Sequence, residues 1–458
     1  MNIESIKNFI KSKSMPKVFF KYYFCIVIIG SVLLRLPISL TGNTEVSLFD
    51  TLFTATSAVS VTGLSVTSTV DSFSFFGQII IMLLIICGGI GVMAIKASIY
   101  LLFRLKLDSR DRRLLMNEQQ HDRNSGMAKL VKQILLITAV ITTLGFILLA
   151  SRFYFYYDME LGQSLWYGLF HSVSAINNAG FDLFGNSLIN YSNDYFIQFI
   201  FIFLIIFGGI GFPIIVEFSR YIGHKIKRRK NVFRISLFSK LTLSAYFIIL
   251  LVGFLFIFFV EYNNGLAYND NTFMDKVFLA LFQSVTTRNA GFATTELSRF
   301  GSTTLFMMTI MMFIGAAPSS TGGGIRTTTF AVIAVYVYNK TINREQVVAF
   351  KRRLPDKTII SAFLTFSLGI MILFLGTIII LIFDNLPASD VMFEVASAFG
   401  TTGLSTGITA GLSQVSQFVL IVIMFTGQIG ITTMLGVWTS DERKSNQFLY
   451  AEENVLIG

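Results

Sequence analysis

Residues 53–64 read FTATSAVSVTGL, and altered copies of this stretch return three more times along the 458-residue chain. The later copies are FHSVSAINNAGF at 170–181, FQSVTTRNAGF at 282–292 and FEVASAFGTTGL at 393–404. Each copy has a Phe ten residues before a Gly (nine in the third copy), and an apolar residue follows that Gly. The four glycines are 117, 111 and 112 residues apart. Two or more matching elements at so long a period predict four related structural units.

A second glycine-rich element follows each copy. It reads GGIG at 88–91 and 208–211, a single glycine at Gly315, and GQIG at 427–430. The predicted unit is a helix, a short helix that enters the membrane and returns, a glycine-bearing loop, and a second helix with a glycine-rich middle.

The composition is typical of a membrane protein. Apolar residues make up 53% of the chain, charged residues 14%, and mean hydropathy is +0.67. Soluble domains carry about 25% charged residues, so an ordinary cytosolic enzyme is excluded. The net charge of +10 is consistent with a nucleic-acid partner, a membrane surface, or basic loops between membrane spans.

The apolar stretches and the charges between them predict a topology. A membrane-spanning helix needs about 20 apolar residues, and eight spans are expected, within 18–40, 75–95, 133–151, 195–216, 241–260, 300–325, 358–383 and 395–440. Of the 36 basic residues, 29 lie before or at the start of the first span, in the alternate connections at 104–132, 220–240 and 339–357, or in the C-terminal tail. By the positive-inside rule both termini are cytoplasmic.

The glycine loops predict a path for a cation. A short helix directed into the membrane places the negative end of its dipole near the bilayer centre, where it favours a cation. Glycine permits the φ angles that turn carbonyl oxygens inward, and four such loops around one axis form a ring that replaces the hydration shell of an ion. For any single loop, close helix packing is the alternative explanation.

Three motifs resemble a known family. NNAGF at 177–181, TTRNAGF at 286–292 and STGGGIRTTT at 320–329 are similar to the Trk/Ktr/HKT superfamily of potassium transporters, and most of all to its KtrB-type membrane subunits. The resemblance implies an all-α integral membrane protein. Its four helix–pore-helix–helix repeats, with eight transmembrane helices and four re-entrant pore helices, would form a pseudo-fourfold, potassium-channel-like arrangement.

The expected divisions follow from this repeat. They are a cytoplasmic segment at 1–17, repeat 1 at 18–103, repeat 2 at 130–222, repeat 3 with a broken inner helix and an intramembrane loop at 239–338, repeat 4 at 358–437, and a cytoplasmic tail at 438–458.

The resemblance also implies which residues bind the ion. In the family, Gly in all four loops accompanies K⁺ selectivity, and Ser in the first loop accompanies Na⁺ transport. The expected K⁺-binding selectivity filter is Val61, Thr62, Gly63, Asn178, Ala179, Gly180, Asn289, Ala290, Gly291, Thr401, Thr402 and Gly403. K⁺ is then the transported ion, no covalent cofactor is expected, and Na⁺ as a coupling ion stays open.

The third repeat contains a break below its filter. Pro, small residues and three successive glycines cannot hold a helix at mid-membrane, and unwound backbone at that depth must line a cavity. By the resemblance this stretch is a gate loop, comprising Gly315, Ala316, Ala317, Pro318, Ser319, Ser320, Thr321, Gly322, Gly323 and Gly324, with Arg326 directly after it. A kinked helix without a gating role is the alternative.

Unusual charges in the spans need partners or a cavity, because a basic group at the bilayer centre costs about 2.5–3.5 kcal/mol on insertion scales. Arg326 is expected at the gate, meeting Glu217, and Arg288 is expected to brace the third filter loop. Lys96 is expected to extend toward the cytoplasm. Gln428 stands where relatives often carry Arg, which puts in doubt a barrier or loop clamp on the fourth inner helix.

The expected function is K⁺ uptake across a bacterial plasma membrane by a multi-pass subunit of a Ktr-type system. The resemblance implies a homodimer docked on a cytoplasmic ring of nucleotide-binding RCK subunits such as KtrA or KtrC. The alternatives are a secondary transporter for another monovalent cation or small solute, and a non-transporting scaffold. No acid–base or nucleophile constellation in the sequence indicates an enzyme.

Overall fold

The structure is a computed structural model that describes residues 15–42, 45–91, 127–226, 233–263, 272–431 and 433–434. Over these ranges the fold is helical apart from one two-stranded hairpin. Lys96, most of the basic connection at 104–132 and the tail at 438–458 lie outside the described residues.

The helices fall into outer, short and inner helices, which recur in that order. They are α1 Met15–Leu34, α2 Leu48–Val59, α3 Phe75–Ile90, α4 Met127–Tyr156, α5 Leu161–Ile176, α6 Tyr195–Gly209, α7 Phe212–Ile226, α8 Leu237–Glu261, α9 Phe273–Thr286, α10 Ser302–Ile314, α11 Thr327–Thr341, α12 Asp356–Phe383, α13 Ala388–Gly400 and α14 Gln414–Ile429. Single turns lie at Pro37–Ser39, Thr69–Ser72, Ile189–Tyr191, Leu297–Arg299 and Thr409–Gly411. The hairpin pairs β1 Val348–Ala349 with β2 Arg352–Arg353 in antiparallel register.

Length and hydropathy identify membrane-crossing helices. Within the described ranges, three are long and apolar enough to span: Leu130–Tyr156, Leu237–Glu261 and Asp356–Phe383. The pair α6 and α7 passes the same test together but bends by 101°. Leu136, Phe259 and Ile382 expose large apolar side chains on the long helices, as lipid-facing residues do. The chain is therefore a multi-pass helical membrane protein, while the number of eight spans stays a prediction.

The helices pack in a closed order. The short helices are α2, α5, α9 and α13, and the inner helices begin with α3, α6, α10 and α14. Each inner helix packs on the short helix of the following repeat: α3 on α5, α6 on α9, α10 on α13, and α14 back on α2. The four units are therefore arranged as a ring in chain order.

The glycine-rich element of the inner helix lets it cross the end of the short helix in its own repeat. A Cβ added at Gly88 would lie under 3.0 Å from the carbonyl oxygen of Val59, and Gly208 and Gly427 stand in the same relation to Ile176 and Phe399. Because the obstacle is backbone in each case, it cannot turn aside as a flexible side chain would. Three repeats therefore require glycine at this crossing.

Within the described residues, all four inner helices end at a glycine with positive φ. The angles are 94° at Gly91, 93° at Gly211, 72° at Gly315 and 93° at Gly430. The sequence predicts a broken inner helix in the third repeat, and the 101° bend between α6 and α7 shows that the second repeat has one as well. An α-helix needs φ near −63°, and the apolar residues around Gly211 hide this break from a prediction based on hydropathy.

Substituting Gly88 by Ala tests this crossing. Gly88→Ala is expected to lower stability by about 1–3 kcal/mol, the usual cost of overpacking, because the new methyl group meets the Val59 carbonyl. The matched control is Gly162→Ala in α5, where nothing lies within 4 Å of the added Cβ. The control should be neutral or slightly stabilising, as Gly→Ala is in helices. Thermal unfolding of the purified protein in detergent gives both values, and equal melting temperatures would contradict the packing argument.

Candidate functional site

Four short helices end beside the repeated glycines. α2, α5, α9 and α13 stop three to five residues before Gly63, Gly180, Gly291 and Gly403. The segments that follow are the glycine loops, defined as residues 60–64, 177–181, 287–292 and 401–404. The last turn of each short helix is buried, so the helix ends and the loops lie inside the ring of helices.

The glycine loops share one backbone pattern. In each loop φ is positive at the glycine and at the residue two before it, with a residue of ordinary φ between them. The eight positions are Val61, Gly63, Asn178, Gly180, Asn289, Gly291, Thr401 and Gly403. A change in the sign of φ from residue to residue turns successive peptide groups to one side of the chain. Val61 and Thr401 are β-branched, and such strain costs about 1–3 kcal/mol per residue, so the surroundings must impose this conformation.

A hydroxyl residue in the last turn of each short helix anchors the loop. These residues are Ser57, Ser174, Thr286 and Ser397, and the carbonyl of each accepts a hydrogen bond from the residue before the glycine at 2.8–2.9 Å. The hydroxyls of Ser57 and Ser397 also accept from the N–H of Gly63 and Gly403 at 3.0 Å. Those of Ser174 and Thr286 donate to the carbonyls of Phe181 and Phe292 at 2.7 Å. The same type of hydrogen bond to the last turn of the short helix therefore fixes the position of all four glycine loops.

The glycine loops meet one another in a cycle. An added Cβ would lie under 3.0 Å from a carbonyl oxygen of the next loop at all four glycines: Gly63 against Ala179, Gly180 against Ala290, Gly291 against Thr402, and Gly403 against Thr62. The glycines are partly exposed, whereas the two residues before each of them are buried. The structure thus brings all twelve predicted filter residues together and lines their meeting point with backbone. Their binding of K⁺ stays a prediction.

Residues 315–325, named the 315–325 loop, fold against this meeting point. Ala317 N donates to Gly209 O at 3.1 Å and Thr321 N to Gly208 O at 3.4 Å, which ties the loop to the second repeat. Gly324 N donates to Phe399 O at 3.1 Å, and this bond ties the loop to the fourth repeat. All of the loop is buried except Ser320.

The two ends of the 315–325 loop close on each other. Gly315 and Gly324 both have positive φ, and a Cβ added at either would lie under 3.0 Å from the Cα of the other. Ile325 N donates to Phe313 O at 3.2 Å, and Thr327 N donates to Ala316 O at 3.0 Å. The segment is therefore a folded loop between α10 and α11, not a kinked continuous helix.

The loop also touches the glycine loops directly. Gly323 N donates to Thr401 Oγ1 at 2.7 Å. A Cβ added at Gly322 would lie under 3.0 Å from the Asn289 side chain, whose Nδ2 donates to Gly400 O and, at 3.2 Å, to Thr401 Oγ1. The third and fourth glycine loops and the 315–325 loop thus form one packed unit.

The predicted meeting of Arg326 with Glu217 is wrong. Arg326 Nη2 donates to Gln428 O at 3.3 Å. Glu217 accepts instead from the N–H and hydroxyl of Ser236 at 2.7 and 2.8 Å, where it supports the N-terminus of α8. Gln428 Nε2 donates to Thr321 O at 3.2 Å, so a clamp between the 315–325 loop and α14 exists without Arg at that position.

Arg288 lies at the third glycine loop and contacts the outer helix α8. Its guanidinium carbon is 5.0 Å from the centre of the Tyr246 ring, and the side chain is fully buried. Among the described residues no group forms a hydrogen bond with its Nε, Nη1 or Nη2 atoms. The contact with Tyr246 joins the third glycine loop to α8, and a bracing role for Arg288 stays a prediction.

Glu394 is a residue near the glycine loops that the sequence did not predict as part of the site. It lies on α13 and is fully buried. Its carboxylate accepts hydrogen bonds from the Ser405 hydroxyl, from Thr406 N at 3.2 Å and from Thr409 Oγ1 at 3.0 Å. The sequence signal that could have identified it is a lone carboxylate directly after the Phe of the fourth repeat, inside an otherwise uncharged run.

A buried, backbone-lined meeting of four loops within a multi-pass helical protein is the arrangement of a membrane transport protein. Residues 6–442 match the family described as "TrkH: Cation transport protein". The chain belongs to this family of cation transporters, which is not an enzyme family, and the resemblance to the Trk/Ktr superfamily is confirmed.

Individual relatives agree with this assignment. "Ktr system potassium uptake protein D" of Bacillus subtilis is 40% identical over 95% of this chain and 96% of its own length. "Ktr system potassium uptake protein B" of Vibrio alginolyticus is 34% identical over 97% and 95%. "Potassium/sodium uptake protein NtpJ" of Enterococcus hirae is 30% identical over 95% of each chain. The crystal structure of the potassium transporter TrkH from Vibrio parahaemolyticus matches the fold with a TM-score of 0.72, at 18% identity over 94% of this chain and 85% of that one.

The Gln428 clamp can be tested by hydrogen exchange. Gln428→Leu removes the bond to Thr321 O, and a neutral hydrogen bond contributes about 0.5–1.5 kcal/mol. Backbone amides of residues 316–325 should therefore exchange roughly three- to tenfold faster. The control is Gln417→Leu in the same helix, because Gln417 bonds to Leu412 O and not to the loop. Equal protection of the loop in both variants would show that Gln428 does not hold it.

Proposed function

We propose that the chain is the K⁺-translocating membrane subunit of a bacterial Ktr-type potassium uptake system. The observation that carries the proposal is the closed cycle of Gly63, Gly180, Gly291 and Gly403, in which each loop meets the backbone of the next. Such a ring offers carbonyl oxygens in place of the hydration shell of K⁺. The four short helices aim the negative ends of their dipoles at the same place, which supports a cation there.

The filter in this proposal consists of the twelve residues named above as the expected selectivity filter. Glycine at all four positions supports K⁺ as the preferred ion, and two of the relatives described above are named as potassium uptake proteins. One relative is named for both potassium and sodium, so Na⁺ is the ion against which selectivity is measured, and coupling to Na⁺ is a second quantity to measure.

The 315–325 loop is the proposed gate. It is bonded to the inner helices of the second and fourth repeats and to Thr401 of the fourth glycine loop. Movement of those inner helices would therefore displace the loop. Arg326 adds a positive charge next to the loop, and a positive charge close to the ion path opposes passage of a cation while the loop is in place.

Regulation is proposed to come from the cytoplasmic side. The connection at 339–357 is basic, and its hairpin exposes Lys351, Arg352 and Arg353. By the positive-inside rule this connection faces the cytoplasm, as do both termini. A homodimer docked on a ring of nucleotide-binding RCK subunits is the proposed assembly. A secondary transporter is less well supported, because it predicts inverted halves, whereas the four loops follow one another in a single sense.

Complementation tests the function directly. The chain is expressed in a bacterium that lacks K⁺ uptake, with and without a cytoplasmic regulatory subunit, and growth is followed at limiting K⁺. Growth and Rb⁺ uptake are expected to be restored. Failure in both cases, with the protein present in the membrane, would overturn the proposal.

The first glycine loop tests K⁺ selectivity. Gly63→Ser places a side chain against Ala179 O, and the K⁺/Na⁺ flux ratio is expected to fall by about tenfold, the effect of roughly 1.4 kcal/mol on relative binding. The control is Gly42→Ser, because Gly42 also has positive φ but nothing lies within 4 Å of an added Cβ. The control keeps the backbone strain and removes the crowding. An unchanged ratio in Gly63→Ser would mean that the loops are not the selectivity filter.

A further inference from the structure

The residue directly after the repeat Phe is polar in all four short helices. These residues are Thr54, His171, Gln283 and Glu394, and each is at most 2% exposed. Polar groups buried inside a membrane protein are costly unless they are hydrogen-bonded. A polar residue at the same place in every repeat therefore calls for a shared explanation.

Two of these side chains make the same bond. His171 Nε2 accepts from Leu183 N at 3.2 Å, and Glu394 accepts from Thr406 N at 3.2 Å. Leu183 and Thr406 each lie three residues after the glycine of their loop. In repeats 2 and 4 the short helix therefore holds the chain just after the glycine loop, with an imidazole in one repeat and a carboxylate in the other.

The other two positions lack this brace. Within the part of the chain that the structure describes, Thr54 Oγ1 and both amide atoms of Gln283 have no hydrogen-bond partner. Because the loops follow one another around the cycle in chain order, repeats 2 and 4 are opposite each other. The braced loops thus form one diagonal of the ring and the unbraced loops form the other.

Glu394 is the more strongly bound of the two braces. It accepts hydrogen bonds from Ser405, Thr406 and Thr409. Ser405 Oγ and Thr409 Oγ1 are also within hydrogen-bond distance of each other, at 3.0 Å. No ion pair to Glu394 occurs among the described residues. These three hydrogen bonds hold residues 405–409 to α13 at three points.

We infer that Glu394 is a positioning residue for ion selectivity. Its carboxylate fixes the segment that leaves the fourth glycine loop, one residue beyond Leu404, and His171 fixes the opposite segment. Together they keep the carbonyls of the ring at the spacing that suits the larger ion. This inference rests on the proposed function. Without the brace, the ring is free to contract around Na⁺.

The test compares K⁺ and Na⁺ flux through the full-length protein in lipid vesicles. Glu394→Gln keeps the size of the side chain but replaces one acceptor oxygen with an NH2 donor, so one hydrogen bond from a hydroxyl must reverse or be lost. The K⁺/Na⁺ flux ratio is expected to fall about tenfold, because the loss of one strong hydrogen bond changes a binding equilibrium constant about tenfold. The matched control is Glu296→Gln, an exposed residue after the third glycine loop that pairs with Arg299, and it should leave the ratio unchanged.

A second set of variants keeps the inference testable if Glu394→Gln fails to fold. Thr409→Val and Ser405→Ala each remove one donor while the carboxylate stays, and each is expected to lower the ratio in the same direction. Where Glu394→Gln does fold, combining it with Thr409→Val should give less than the sum of the two effects, because both act through one network.

The outcomes separate the two proposals. A lower total flux with an unchanged K⁺/Na⁺ ratio in these variants would reduce Glu394 to a folding role and overturn the inference alone. A wild-type protein that shows no K⁺ preference in the same vesicles would overturn the proposed function, and the inference with it.

Discussion

The fold depends most strongly on the contact of backbone with backbone where the four glycine loops meet. A side chain at Gly63, Gly180, Gly291 or Gly403 would crowd a carbonyl group of the next loop. A carbonyl in a loop that is itself anchored by a hydroxyl residue has little freedom to retreat. The same requirement continues outward, since Gly88, Gly208 and Gly427 let the inner helices cross the ends of the short helices. The ring of helices is thus built around the absence of seven Cβ atoms.

A second consequence concerns the polar backbone that this arrangement brings into the membrane. Unwound backbone at that depth must be bonded within the protein or face water. The 315–325 loop meets this requirement by bonding to Gly208, Gly209 and Phe399, and Gly208 and Phe399 are residues at the helix crossings. Glycine at the crossings therefore both admits the inner helix and leaves carbonyls open to the loop. This double use explains how a non-helical segment is accommodated beneath the glycine loops.

The sequence predicted the repeat, the glycine positions and the folded loop, because these depend on spacing and on the conformational limits of Gly and Pro. It did not predict the positive φ at Val61 and Thr401, since β-branched residues favour extended backbone and only the packed ring overrides that preference. The predicted partner of Arg326 is wrong because charge complementarity points to Glu217, whereas that carboxylate accepts hydrogen bonds from Ser236 at the start of α8. The break between α6 and α7 is not predicted, because hydropathy does not report the sign of φ at Gly211.

Joining four units in one chain allows the backbone to repeat while the side chains differ. Four identical subunits would have to place the same residue at every equivalent position. Here Thr54, His171, Gln283 and Glu394 occupy one position, and among the described residues only the side chains of His171 and Glu394 form hydrogen bonds there. The third loop shows what this freedom permits. Its Asn289 reaches the fourth loop at Thr401 and leaves room beneath it only for a residue without a side chain, which is Gly322. The fit of the 315–325 loop therefore depends on a departure from fourfold symmetry that a symmetric assembly could not make in one quarter alone.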